Sequence, residues 1–321
     1  AGLLSSTECL TINKMCGSGL KAVMLLVQSI NTGNSEIGIA GGMENMSLSP
    51  YILPKARSGY RLGHGKLIDS MIVDGLWDAY NDKHMGSCAE MLSDRNGITR
   101  EDQDMFAKNS YNKAIKSMDL GLFKNEIVSV QTPKIKGDSI SVFEDEEPRR
   151  FNFEKMKKLK PAFQKNGTIT AANASKINDG AAALLLASRD SVNKYDLIPK
   201  AKVIAQASYA NDPQWFTTAP IGAISRVLSI ANLKKDDIDL WEINEAFAPV
   251  AIAAINEFNI DIEKVNICGG SIALGHPIGA SGARILVTLL HSLEREKKRL
   301  GLATLCIGGG EASAVIIEKI S

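Results

Sequence analysis

The first part of the chain alternates between strand-like and helix-like hydrophobic patterns. Segment 8–15 (ECLTINKM) is short and rich in β-branched residues, which predicts a strand. In segment 19–30 (GLKAVMLLVQSI) apolar residues recur at helical spacing, and segment 36–42 (EIGIAGG) again has the composition of a short strand. A strand, a helix and a strand of this size indicate an α/β unit.

The middle of the chain has a different pattern. It combines turn-forming residues, isolated helical segments and a charged stretch, which predicts an inserted domain with its own small fold. Thr99 followed by Asp102 has the signature of a helix start, with Thr99 as the N-cap. Strand–helix alternation then returns. We therefore predict a first domain formed by 1–47 and 177–198, an inserted domain at 48–176, and a last domain at 199–321.

Two stretches far apart in the chain resemble each other. SGLKAVMLLVQSI from Ser18 and SGARILVTLLHSL from Ser281 share Ser-Gly, a basic residue and a late serine in register. Each precedes a strand-like run that ends in glycines and a glutamate. This self-similarity indicates a duplicated domain, although two amphipathic helices can also resemble each other by chance. A duplication would bring Cys16 and Gly279 to equivalent helix starts near one site.

Composition narrows the class of protein. The 321 residues, 45% hydrophobic and 23% charged, are typical of a globular protein with about two domains. A net charge of +1 gives no general attraction to nucleic acid or to anionic membranes. No apolar run approaches the roughly 20 residues of a transmembrane helix. The basic clusters at 155–160 and 295–299 fit solvated faces, so we expect neither nucleic acid nor a membrane as a partner.

The cysteines suggest a reducing compartment. They are odd in number, widely scattered and without CxxC spacing, which argues against a disulfide framework or a zinc site. The five are Cys9, Cys16, Cys88, Cys268 and Cys306.

Four residues have surroundings suited to chemistry. Cys16 precedes a Gly-Ser-Gly turn and a helix, whose dipole favours a thiolate, although most free cysteines are buried packing residues. His276 lies in a glycine-dense loop, and Cys306 ends an apolar strand that is followed by three glycines. Asn244 follows a strand-like segment, where a helix N-cap is the alternative interpretation.

Five motifs, in this order along the chain, resemble the thiolase family: NKMCGSGLKA, GGMENMS, NEAFA, GHPIGASGAR and CIGGG. The resemblance covers essentially the whole chain and is strongest to the biosynthetic acetoacetyl-CoA thiolases. It implies a duplicated α/β core, layered α-β-α-β-α, with an inserted loop domain. Thiolases carry a longer segment before the nucleophile, so we expect the first domain to lack its N-terminal segment here.

The resemblance implies a role for each candidate residue. Cys16 matches the nucleophile, His276 its base, and Cys306 the acid/base that deprotonates the second acetyl-CoA. Asn244, with His276, matches the residues that hold a water in one oxyanion hole. The backbone N–H groups of Cys16 and Gly308 match the other hole. The implied reaction is the ping-pong condensation of two acetyl-CoA to acetoacetyl-CoA and CoA, and its reversal, through acetyl-Cys16.

The inserted domain is then expected to bind coenzyme A. His84 and Met85 match a pair typical of the short-chain branch, whereas Arg150 is a weaker match because the spacing around it varies. Core packing is an equal interpretation for the apolar residues among the remaining matches. These matches are Leu76, Phe163, Ala171, Ser175, Phe216, Ala246 and Phe247. Cys9, Cys88 and Cys268 match no catalytic position and are interpreted as packing residues.

The resemblance also bears on ions, assembly and alternatives. No cofactor is expected beyond the CoA thioesters, but some mitochondrial thiolases bind potassium near TAANAS. The residues at those positions are Tyr111, Ala171, Ala172, Ala174 and Ile272. The family implies a homotetramer or homodimer, in the cytoplasm or the mitochondrial matrix. A degradative 3-ketoacyl-CoA thiolase with longer substrates and a non-catalytic CoA or acyl binder remain alternatives.

Overall fold

The computed structural model describes residues 2–133 and 138–320. The helices are α1 (Ser18–Asn31), α2 (Met85–Asn96), α3 (Arg100–Asp119), α4 (Phe153–Met156), α5 (Arg189–Lys194), α6 (Ala219–Ala231), α7 (Ala248–Phe258), α8 (Ser271–Leu274) and α9 (Ile278–Arg295). The strands are β1 (Ile37–Asn45), β2 (Tyr51–Ile52), β3 (Ile68–Asp69), β4 (Trp77–Asp78), β5 (Lys83–His84), β6 (Val130–Thr132), β7 (Ile140–Val142), β8 (Asp179–Ala187), β9 (Ala201–Ala210), β10 (Leu240–Ile243), β11 (Leu300–Ile307) and β12 (Glu311–Lys319).

A four-stranded mixed sheet forms the centre of the fold. Its order is β10-β11-β12-β9, with β10 and β11 parallel and the other pairs antiparallel. Strand β11 packs on both of its faces. Leu302 belongs to an apolar cluster formed with α6 and α7, and Leu305 belongs to one formed with α1 and α9. Burial on both faces explains why this strand is apolar throughout.

Helices α1 and α9 lie between the four-stranded sheet and the antiparallel pair β1–β8. These are the two helices predicted to repeat each other, and they pack side by side. A Cβ on Gly19 would lie 2.6 Å from the backbone nitrogen of Ala283, and one on Gly42 would lie 1.9 Å from the carbonyl oxygen of Gly279. The backbones approach so closely because glycine occupies these positions, and the two helix starts consequently meet.

The predicted local elements are mostly observed. The helix at 19–30 and the strand at 36–42 are confirmed as α1 and β1, and Thr99 and Asp102 form a capping box at the start of α3. The strand predicted at 8–15 is wrong, because residues 8–14 have no regular structure and a strand needs a partner for its ladder hydrogen bonds. Cys9 is exposed there, so its interpretation as a packing residue is also wrong.

Segment 48–176 contains α2, α3 and α4 and the hairpins β2–β3, β4–β5 and β6–β7. Helix α2 packs on α7, and α3 packs on α7 and α8, so this segment contacts the elements that follow β10. In the part of the chain that the structure describes, no helix is both long and apolar enough to cross a membrane.

Candidate functional site

Cys16 lies in a short 3₁₀ turn, Met15–Gly17, immediately before α1. Met15 has a φ of 50°, a left-handed conformation that costs a non-glycine residue about 1–3 kcal/mol. Ser18 holds the turn: its hydroxyl oxygen accepts from the N–H of Lys14 at 2.8 Å, and its O–H donates to the Met15 carbonyl at 2.8 Å. The thiol is therefore presented on a constrained turn rather than inside the helix.

The glycine turn after β11 lies beside Cys16. Lys14, before the cysteine, and Glu311, after the glycines, form an ion pair at 2.6 Å that joins the two segments. The backbone N–H of Gly308 interacts with the Cys16 thiol, as does the N–H of Cys16 itself. The structure therefore brings together the two N–H groups predicted for one oxyanion hole.

Both predicted catalytic thiols are protonated at rest. Burial raises the pKa of Cys16 to about 11, an increase that the two backbone N–H groups partly oppose and the charge of Glu44 adds to. Burial also raises the pKa of Cys306 well above its ordinary value, and the proximity of Cys16 adds to this. Each thiol consequently needs a nearby base to form the thiolate that takes part in chemistry.

His276 is buried directly before α9 and is poised as a neutral base. Burial and, to a lesser extent, the positive charge of Arg284 lower the pKa of its imidazole to about 4. The hydroxyl of Ser281 donates to the Pro277 carbonyl at 2.9 Å, so its oxygen accepts from Nδ1–H of His276 at 2.5 Å. Nε2 then carries the lone pair, and among the described residues this buried atom has no hydrogen-bond partner.

Asn244 also presents a buried polar atom without a partner in the part of the chain that the structure describes. Its side-chain oxygen accepts from the Ser271 hydroxyl at 2.5 Å, and Nη2 of Arg284 donates to that hydroxyl at 3.1 Å. This leaves Nδ2 of Asn244 as a free donor. Asn244 is not the N-cap of α7, because that position is held by Phe247.

An apolar cluster surrounds Cys306 and includes half of the residues predicted to bind the substrate or coenzyme A. Its predicted members are Met85, Phe163, Phe216, Ala246 and Phe247. The ring of His84 stacks on Phe163 at 4.8 Å, and Phe163 meets Phe247 edge-on at 5.9 Å. Nδ1 of His84 accepts from the N–H of Gly86 at 3.0 Å, and burial lowers the pKa of the ring, so the neutral tautomer carries its proton on Nε2.

The remaining predicted pocket residues differ in position. The Leu76 carbonyl accepts from the N–H of Met85 at 2.9 Å, and the N–H of Ser175 donates to the Ala246 carbonyl at 3.0 Å, so both adjoin the apolar cluster. Arg150 does not: its exposed side chain forms ion pairs with Glu146 and Glu147. The other two cysteines without a predicted role, Cys88 and Cys268, are buried, in agreement with packing roles.

Three of the five residues predicted to hold potassium lie around an ammonium group of the protein itself. Nζ of Lys176 donates to the carbonyls of Ala171 and Ala174 at 2.5 and 3.2 Å and lies 5.6 Å from the centre of the Tyr111 ring. Burial lowers the pKa of Lys176 to about 8, an effect that Glu147 opposes, so the group is charged at neutral pH. The arrangement therefore does not fit an additional cation on these carbonyls. Ala172 and Ile272 pack in the apolar cluster around Tyr111.

Sequence reasoning missed the residues that orient the candidate catalytic side chains. Ser281, Ser271 and Arg284 act through His276 and Asn244, and Glu44 accepts from the N–H of Gly279 at 3.0 Å at the start of α9. All four lie within or next to the motifs quoted above. The contacts of Glu44 and Ser271 join segments that are distant in sequence, so spacing carried no signal for them. Ser281 lies five residues after His276 in the same motif, and its position could have been found from that spacing.

Comparison with known proteins finds family models and relatives that match nearly the whole chain. Residues 1–190 match the family model "Thiolase, N-terminal domain" and residues 197–319 match "Thiolase, C-terminal domain". Proteins named acetyl-CoA acetyltransferase from Cupriavidus necator and Pseudomonas aeruginosa are 50% and 49% identical over 320 residues, or 99% of this chain and 81% of theirs. This chain superposes on the crystal structure of the Acat5 thiolase from Ascaris suum in complex with coenzyme A with a TM-score of 0.93 and 44% sequence identity. The match covers 99% of this chain and 81% of the Acat5 chain.

Proposed function

Because this chain belongs to the thiolase family, we propose that it is an acetyl-CoA C-acetyltransferase, which condenses two acetyl-CoA to acetoacetyl-CoA and CoA and catalyses the reverse thiolysis. The observation that carries the proposal is the pair of buried, unpartnered polar atoms, Nε2 of His276 and Nδ2 of Asn244, in the part of the chain that the structure describes. A lone pair and a donor left unsatisfied in a buried site are what a base and an oxyanion hole require.

In the first half-reaction, Nε2 of His276 takes the proton of the Cys16 thiol. The thiolate attacks the thioester carbonyl of acetyl-CoA, and the backbone N–H groups of Cys16 and Gly308 stabilise the tetrahedral oxyanion. The C–S bond to CoA breaks, the leaving thiolate takes the proton from His276, and acetyl-Cys16 remains. Each well-placed donor contributes on the order of 3 kcal/mol to such a step.

In the second half-reaction, neutral His276 takes the proton of the Cys306 thiol, and the Cys306 thiolate removes an α-proton from a second acetyl-CoA. Nδ2 of Asn244, with His276, stabilises the enolate oxygen through a bound water. The enolate carbon attacks the carbonyl of acetyl-Cys16, the new C–C bond forms, and the C–S bond to Cys16 breaks. The Cys16 thiolate takes the proton held by His276, and Cys306 keeps the α-proton, so the cycle closes with both thiols protonated and His276 neutral.

The apolar cluster around Cys306 supports a short acyl chain. His84, Phe163 and Phe247 pack against one another beside Met85, and this leaves Nε2–H of His84 as a donor for a thioester or pantetheine group. We assign coenzyme A binding to segment 48–176. This segment is the second of three proposed units; the first combines 1–47 and 177–198, and the third is 199–321. The homotetramer or homodimer, and the cytoplasmic or matrix location, stay predictions.

Mass spectrometry of the intact protein after incubation with acetyl-CoA tests the chemistry. One acetyl group should be found on Cys16 and should be absent in Cys16→Ser. Absence of the adduct in an otherwise folded protein would contradict the mechanism and favour a non-catalytic CoA binder. Comparing kcat/KM for acetoacetyl-CoA and for a long-chain 3-ketoacyl-CoA separates the short-chain enzyme from the degradative alternative.

A further inference from the structure

The loop 170–176 carries a half-buried cation, the ammonium of Lys176. The ammonium of Lys176 bridges the carbonyls of Ala171 and Ala174, and the face of the Tyr111 ring lies within range of a cation–π interaction. Carbonyl oxygens of this kind are the ligands that hard monovalent cations take in proteins. The Lys176 side chain therefore places a covalently attached positive charge among ligands that would suit a monovalent cation.

The inner edge of the same loop supports the candidate catalytic residues. The N–H of Ser175 donates to the Ala246 carbonyl at 3.0 Å, and Ala174 belongs to the apolar cluster around Cys306. The carbonyl of Lys176 accepts from the backbone N–H of His276 at 3.1 Å. A shift of this loop would therefore move both the wall of the acyl pocket and the base.

The hydrogen bonds of Asn173 fix only the middle of the loop. Its side chain donates to Asp104 at 2.9 Å, and its carbonyl accepts from the N–H of Ala248 at 2.9 Å, which secures the middle of the loop. The carbonyls of Ala171 and Ala174 point the other way, toward Lys176. Without the Lys176 ammonium, the carbonyls of Ala171 and Ala174 would each lose the donor that they have in this structure.

A second cation cannot share these carbonyls at low cost. An ion on the same two oxygens would lie about 4 Å from Nζ of Lys176, where the repulsion of two unit charges weakens binding roughly a thousandfold at an effective dielectric constant near 20. We propose that Lys176 is a tethered replacement for a monovalent cation, so that the order of this loop and the position of His276 do not depend on dissolved potassium. Lys176 is thus a positioning residue. Only the activity measurement below depends on the proposed function; the measurement of thermal unfolding does not.

The experiment compares potassium chloride with choline chloride at equal ionic strength. The variants are Lys176→Ala, which leaves room for an ion, and Lys176→Gln, which keeps the bulk without the charge. The matched control is Lys113→Ala. Nζ of Lys113 also donates to two carbonyls, those of Ile262 and Val265 at 2.9 and 3.1 Å, but away from the catalytic residues. Thiolysis kcat/KM and the midpoint of thermal unfolding are measured for each protein.

We expect the wild type to show the same kcat/KM and midpoint in both salts. Lys176→Ala should lose at least tenfold in kcat/KM in choline and recover most of it, together with its thermal midpoint, as potassium is added. Lys176→Gln should show less recovery, and Lys113→Ala should show none that depends on the cation.

Three results would overturn the proposal: several-fold activation of the wild type by potassium, full activity of Lys176→Ala in choline, or a loss in that variant that potassium does not restore. Failure of the proposed function is distinguishable. If the wild type has no thiolase activity in any salt, potassium should still raise the unfolding midpoint of Lys176→Ala selectively, and absence of that shift counts against the tethered cation.

Discussion

The hydroxyl of Ser281 decides which nitrogen of His276 carries the proton. Because the O–H donates to the Pro277 carbonyl at 2.9 Å, the oxygen accepts from Nδ1–H and leaves Nε2 as the base. Ser281→Ala removes that acceptor, and a buried N–H without a partner costs about 1–3 kcal/mol. The cost applies only to the productive tautomer. The population of that tautomer therefore falls by roughly 5- to 150-fold, and we expect kcat/KM to fall about 10- to 100-fold.

Ser292→Ala is the matched control for this change. Ser292 is buried on the same helix, where its hydroxyl accepts from Arg295 at 3.3 Å, so its loss should cost similar stability without touching the base. Thiolysis of acetoacetyl-CoA and thermal unfolding are measured for both variants. The ¹⁵N shifts of the His276 ring report the tautomer directly.

Two outcomes would refute the reasoning on Ser281. One is a kcat/KM for Ser281→Ala within about threefold of Ser292→Ala. The other is an unchanged pair of ring-nitrogen shifts, which would mean that another group sets the tautomer.

Three further predictions test the thiols, the charge state and the packing. Cys306→Ser should still form acetyl-Cys16 by mass spectrometry but lose condensation by about 10²–10⁴-fold, the usual contribution of a positioned base; full retention of condensation would assign the base elsewhere. Burial lowers the pKa of His276 from 6.5 to about 4, so the unfolded chain binds this proton first as the pH falls. The free energy of unfolding should therefore decrease by roughly 3 kcal/mol between pH 6.5 and 4. Urea unfolding should show this slope flattened in His276→Asn, and an equal slope would contradict the shift. Gly42→Ala puts a Cβ 1.9 Å from the Gly279 carbonyl and should destabilise by about 3 kcal/mol or more in the same assay, whereas a change below 0.5 kcal/mol would show that α9 can move away.

Local sequence patterns determined much of the fold and the identity of the candidate site. Helical spacing from Gly19, the Thr99–Asp102 capping box and the glycine-flanked strand β1 all correspond to observed elements, because short-range hydrogen bonds and the burial of one helix face specify them. Cys16, Asn244, His276 and Cys306 were found from motifs, since each lies in a segment whose glycines or strand end are visible in the sequence.

Contacts between distant segments could not be predicted from the sequence. The strand expected at 8–15 is irregular, because a strand depends on a partner that its own residues do not supply. The hydrogen bond from Ser271 to Asn244 and the ion pair between Lys14 and Glu311 join residues far apart in the chain.

The placement of the Lys176 ammonium on the TAANAS carbonyls also required the tertiary structure. A sequence motif indicates which carbonyls could bind a cation. Whether an ion or the Lys176 ammonium occupies that position depends on where this long side chain packs in the folded protein. The sequence therefore indicated the candidate catalytic groups. Their tautomers, hydrogen-bond partners and pKa values depend on the fold, because desolvation and long-range hydrogen bonds exist only in the folded chain.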